Sequence, residues 1–121
     1  MRKRSLAREH ALKILYQAEI IKRDIPFTFD QYWHDKGESD ETVLSFAKFL
    51  TMGVEKNCPD IDEKISKYAT NWQLKRMAVI DRNVLRLGVF ELLYAEEIPP
   101  KVSINESVEL AKKYGDLESS K

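Results

Sequence analysis

Apolar residues along this chain recur at helical spacing, and strand-like alternation does not persist anywhere. Ala7, Ala11, Ile14, Leu15, Ala18 and Ile21 fall on one side of a first helix, with Ser5 as its N-cap. Asp24 to Pro26 break it. Phe27, Phe29, Tyr32 and Trp33 then mark an aromatic-rich short helix or ordered loop, and their spacing suits packing better than a cofactor box. Gly37-Glu38-Ser39-Asp40 is turn chemistry, with Ser39 or Asp40 capping a third helix over about 41–56. Its core side is Val43, Leu44, Phe46, Ala47, Leu50 and Val54. Asn57 to Pro59 are expected to end it, and a fourth helix over about 60–69 to bury Ile61, Ile65 and Tyr68.

The stretch Met77 to Ala95 organises the rest. Val79, Ile80, Val84, Leu85, Leu87, Val89, Phe90, Leu92, Leu93 and Tyr94 point to nearly every side of a helix, so other helices should cover it. Asp81, Arg82, Arg86 and Glu91 interrupt it too often for a membrane span. Arg82 and Arg86 share a face, and Gly88 implies close approach of another helix backbone. Pro99-Pro100 closes this segment. Ser103 with Glu106 has capping-box spacing for a sixth helix, with Ile104, Val108, Leu110 and Ala111 apolar and Gly115 at its C-terminal end. The pattern is an all-α compact bundle of about six helices around a central apolar one, in a single domain.

Composition narrows the function classes. Twenty basic residues balance 20 acidic ones, so a nucleic-acid site must come from local charge asymmetry. The single cysteine, Cys58, excludes an internal disulfide and fits a reducing, cytoplasmic setting. The basic start is not followed by an apolar signal core.

The first candidate site is the cluster Arg2, Lys3, Arg4 and Arg8, which meets no acid through residue 8. With Lys13 and Tyr16 further along the helix, it has the ingredients of single-stranded RNA binding: cations for the backbone and a ring for a base. Against it stands a solvated terminus with Tyr16 at the core edge. Asp81, Glu91, Glu106 and Glu109 lie among Arg82, Arg86, Lys101, Lys112 and Lys113, which favours surface ion pairs and caps over acid–base or metal chemistry. His10, His34 and Cys58 lack ligand-spaced companions, and the chain has neither a phosphate-binding glycine loop nor a nucleophile elbow. No cofactor or metal is expected. Trp72, in a connector, reads equally as a partner anchor or a core plug.

Three segments carry a resemblance. RKRSLAREHALKILYQAE resembles the first helix of the NusB family of transcription antitermination factors. AVIDRNVLRLGVFELLY looks like that family's central helix, and IPPKVSINESVELAKKYG like the next. They occur in the family's order, and the similarity is weakest between Asp24 and Asp40. The resemblance implies two small helical subdomains, here about 1–70 and 71–121. It implies a bacterial cytoplasmic protein without catalysis that binds boxA-type nascent RNA together with NusE, a small-subunit ribosomal protein, and works with the elongation complex on ribosomal RNA transcripts. Residue by residue, it implies RNA contacts at Arg2, Lys3, Arg4, Arg8 and Tyr16, with Glu118 bordering the RNA. Asp81 falls on the side shared by the RNA and NusE and is a candidate partner contact, with Trp72 as a further one. The family's terminal helix of the FVNGVL type is expected after Ser119 to Lys121 and does not follow in this sequence; either the chain is a fragment or partner contacts cover the gap, and a bared apolar patch would favour self-association as a homodimer. Two rivals remain: a NusB-like module of an RNA cytosine methyltransferase, and a purely protein-interacting bundle.

Overall fold

A computed structural model of the chain describes residues 2–37, 40–68 and 76–115, apart from the side chains of residues 2 and 36. Five helices follow one another among these residues: α1 (Arg2–Ile21), α2 (Ile25–Lys36), α3 (Glu41–Tyr68), α4 (Val79–Tyr94) and α5 (Pro100–Tyr114). Helix α1 packs on α2, α3 and α4, α3 packs on α2 and α4 as well, and α5 packs on α4. No helix among the described residues is long and apolar enough to cross a membrane.

The turns are made by local chemistry. Asp24 caps α2 by accepting from the Phe27 amide at 2.8 Å, and Pro26 occupies the first turn, where a missing amide costs nothing. Gly37 closes α2 in the left-handed conformation (φ 69°) and donates its amide to Trp33. Asp40 caps α3 by accepting from the amides of Thr42 and Val43. Trp72 and Glu118 lie outside the described residues.

Five helices stand where six were expected, because α3 runs unbroken through Pro59. The buried positions Leu50, Val54, Ile61 and Ile65 keep helical phase across the proline, so one continuous stripe faces the core. Pro59 itself is exposed, which leaves water to serve the carbonyl that lost its donor. Tyr68 and Ile21, expected in the core, are 77% and 50% exposed at helix ends.

Two expected caps are also overturned. Ser5 sits inside α1, and Ser103 sits inside α5, which starts at Pro100. Both hydroxyls instead serve contacts between helices. The central helix is not covered on all sides: Val84, Leu87 and Phe90 are buried, whereas Leu92, Leu93 and Tyr94 are each more than 40% exposed. A Cβ on Gly88 would lie 2.6 Å from Ser107 Oγ, so the close approach there is to an α5 side chain and not to backbone. The tighter glycine is Gly53 on α3, whose added Cβ would collide with the Phe90 ring.

Candidate nucleic-acid interface

Successive residues at the start of α1 are about 100° apart around the helix, so Lys3 faces a different way from Arg4 and Arg8. Lys3 remains 61% exposed while pairing with Asp40 at 3.2 Å. Arg4 turns inward and lays its guanidinium 4.9 Å from the centre of the Phe46 ring.

Arg8 departs most from expectation. It is 2% exposed, and its guanidinium forks onto Glu91 through two bonds of 2.8 Å, with Glu106 at 3.1 Å. Ser103 donates to the same Glu91 at 2.9 Å, and Ser5 donates to Glu106. Burial opposes the charge on Arg8, but Glu91 and then Glu106 outweigh it and raise its pKa. A guanidinium 2% exposed and held by two carboxylates is out of a phosphate's reach. Arg8 is therefore corrected from an RNA contact to a residue that locks α1 to α4 and α5. Glu91 is corrected with it: it pairs as expected, but in the interior at 2% exposed, whereas Glu106 pairs with Arg8 and stays 21% exposed.

Tyr16 points outward, 38% exposed, one turn beyond Lys13. The Lys13 ammonium lies 5.4 Å from the centre of the Tyr114 ring at the end of α5, and Lys113 lies 5.5 Å from the same ring. Glu9 ties this edge together by accepting from Lys113 at 2.9 Å and from the Tyr114 hydroxyl. Burial pulls Glu9 upward, yet Tyr114 and Lys113 hold its carboxyl below the usual range. Glu9, Lys113 and Tyr114 were missed as part of this edge. The run Lys112-Lys113-Tyr114 carries the same cation-then-ring signal as the first helix, and only the fold brings the two together. Asp81, in the first turn of α4, reaches the same region: a Cβ on Gly115 would meet its Oδ1 at 3.1 Å.

Behind this edge the aromatic set packs as expected. Phe29 and Tyr32 are buried, and Trp33 sits edge-on to His10 and Tyr32. Tyr32 bonds His10 Nδ1 at 2.6 Å, and burial pushes its hydroxyl up to about 12, with Tyr114 and Glu9 adding to the shift. Burial likewise raises the Cys58 thiol, which suits an inert side chain. Among the described residues no cluster of three or more His, Cys, Asp or Glu could hold a metal.

Fold and surface together define an all-α protein whose first helix presents cations and an outward tyrosine. The model of the NusB family matches residues 5–121, and the chain belongs to that family. It is 46% identical over 120 residues to the transcription antitermination protein NusB of Myxococcus xanthus, covering 97% of this chain and 86% of the relative. It superposes on T. maritima NusB with a TM-score of 0.86 at 35% identity, covering 97% of this chain and 82% of that one. A crystal structure of antitermination factors NusB and NusE in complex with dsRNA matches with a TM-score of 0.88 at 28% identity, covering 99% and 89%.

Proposed function

We propose that this chain is a non-catalytic, cytoplasmic RNA-binding antitermination factor that binds boxA-type nascent RNA together with NusE and supports ribosomal RNA transcription within the elongation complex. The observation that carries the reading is the outward Tyr16 beside Lys13, on the helix whose first turn holds Arg2, Lys3 and Arg4. Family membership, and a similar fold in a complex of NusB, NusE and dsRNA, support it. In this reading Arg2, Lys3 and Arg4 take phosphates, a base stacks on Tyr16, and Glu118 borders the strand. Asp81 and Trp72 face the protein partner. Arg8 contributes by fixing where α1 begins.

Phosphate contacts position a strand and base contacts select it, so a short arm needs the partner for joint specificity. The test is a titration of fluorescent boxA-type RNA, with and without NusE. Tyr16→Ala is expected to weaken binding about tenfold, the scale of one lost stacking contact. Replacing Arg2 and Arg4 by Ala is expected to flatten the salt dependence as well. Unchanged affinity in both variants would remove α1 from the mechanism. No RNA binding under either condition would favour the purely protein-interacting bundle.

A further inference from the structure

An open groove of about 450 Å³ lies where the start of α1, the first turns of α3 and the turn between α4 and α5 meet. Phe46 and Phe49 line it with their rings 6.0 Å apart at 27°. Phe49 also leans on Phe90 at 5.1 Å, yet stays 40% exposed, so part of the ring opens onto the groove. Arg4 lies along one wall, over Phe46. Glu41 and Glu97, both exposed, stand at the rim, and the Thr42 and Ser45 hydroxyls complete the lining.

We propose that this groove is a nucleobase pocket that selects guanine. The proposal rests on the RNA-binding reading above and extends it from charge and stacking to base identity. Guanine offers two acceptors, O6 and N7, on one edge, and the Arg4 fork matches them in bidentate fashion, so that in this extension Arg4 reads a base and the phosphates are left to Arg2 and Lys3. Its adjoining Watson–Crick edge offers N1–H and N2–H donors, which a carboxylate of Glu41 or Glu97 would accept. The base plane covers the open part of Phe49, a contact that any base would make. Thr42 and Ser45 can bond ribose hydroxyls. Adenine would turn its amino group toward Arg4, and uracil has one N–H between two carbonyls. Both therefore leave charged groups of the pocket unmatched, which is how polar sites reject analogues. The two carboxylates also disfavour a phosphate in the groove, so a base enters and the backbone stays outside near Lys3.

The test uses the intact protein and two parallel titrations. In the first, GMP, AMP, CMP and UMP are titrated separately while backbone amide resonances are followed. GMP is expected to shift Thr42, Ser45 and Phe49 saturably, and about tenfold more tightly than the other three, the discrimination of one good bidentate pair. Equal responses to all four nucleotides, or none at these residues, overturn the pocket. Phe49→Ala should abolish the GMP response. Because that ring also packs against Phe46 and Phe90, the double variant Glu41→Gln with Glu97→Gln provides a second check: it should lose the preference for GMP over AMP while helical content is unchanged. In the second titration, boxA-type RNA is bound to the wild type and to Tyr16→Ala. RNA binding that depends on Tyr16, with a groove silent to GMP, sinks the pocket and leaves the RNA reading standing. A groove that selects GMP in a protein that binds no RNA does the reverse.

Discussion

Two arginine–carboxylate clusters hold α1 against α4, built from the same residue types and sealed to different degrees. At one end Arg8 and Glu91 are each 2% exposed, and Glu106, Ser5 and Ser103 complete their bonds. At the other, Glu19 takes Arg82 and Arg86, and Arg86 also forks onto Asp62 of α3 with two bonds of 2.9 Å. There Arg86 is 16% and Asp62 29% exposed. Inside the protein, removing one partner strands a charge that water cannot reach. Near the surface, water and salt replace much of what is lost. Similar bond lengths thus conceal different energetics. Each cluster joins three helices, the sealed one α1, α4 and α5 and the open one α1, α3 and α4, so the difference between them is exposure and not reach.

The sharpest way to break this contrast is Glu91→Ala. It leaves Arg8 buried with only Glu106 opposite and Ser103 without its acceptor. The expected loss is about 3–5 kcal/mol of unfolding free energy, measured by urea denaturation. A loss below about 1 kcal/mol would mean that water reaches Arg8 and that the two clusters are alike. Replacing both partners, with Arg8→Met and Glu91→Leu together, is expected to recover more than half of that loss, because the interior charge leaves along with its counter-charge. If the double variant is as unstable as the single one, the cost lies in cavity and shape instead of charge.

Arg86→Ala applies the same operation to the open cluster. Asp62 and Glu19 can be rehydrated there, so about 1 kcal/mol is expected, despite the bidentate geometry. A loss as large as that of Glu91→Ala would erase the distinction drawn from exposure.

The difference between the clusters was partly legible in the sequence. Arg8, Leu12 and Leu15 share the spacing of one buried arc, and Val84, Leu87 and Glu91 share another. A charge standing at an apolar position of each arc was the available signal for an interior pair. It was outweighed by the run Arg2, Lys3, Arg4, which invites a reading of Arg8 as one more surface cation. The identity of the partner was not legible, because 83 residues separate Arg8 from Glu91 and only packing joins them. The caps at Asp24 and Asp40 were readable because their chemistry is local, within three residues of the amides they serve. Ser5 and Ser103 were misassigned for the opposite reason: a serine near a helix start satisfies the cap pattern whether or not a distant carboxylate claims its hydroxyl. Pro59 predicts a break through its own missing amide, while the stripe that continues across it carries the stronger information. The position of Tyr16 on α1 leaves core edge and solvent both open, and the groove at Phe49 is not legible at all, since its walls come from three separated parts of the chain.

The smallest effect, and the most specific to the open cluster, concerns acid. Burial pushes Glu19 upward, but the bond from Arg82, its charge, the Asn83 amide and Arg86 outweigh it and hold the carboxyl below its ordinary value of 4.5. A group whose folded pKa is depressed stabilises the protein fully above its unfolded pKa. It loses that contribution as pH falls through the folded value. Arg82→Ala should therefore lower stability near neutrality by a modest amount, and the gap from wild type should close as the solution is acidified below 4.5, because a protonated Glu19 no longer distinguishes the two proteins. Added salt should narrow the same gap at neutral pH, as it does for partly exposed pairs. Arg82 also donates to the Met77 carbonyl at 3.2 Å. A gap that stays constant from neutrality into the acid range would assign its contribution to that neutral bond and separate it from the ion pair.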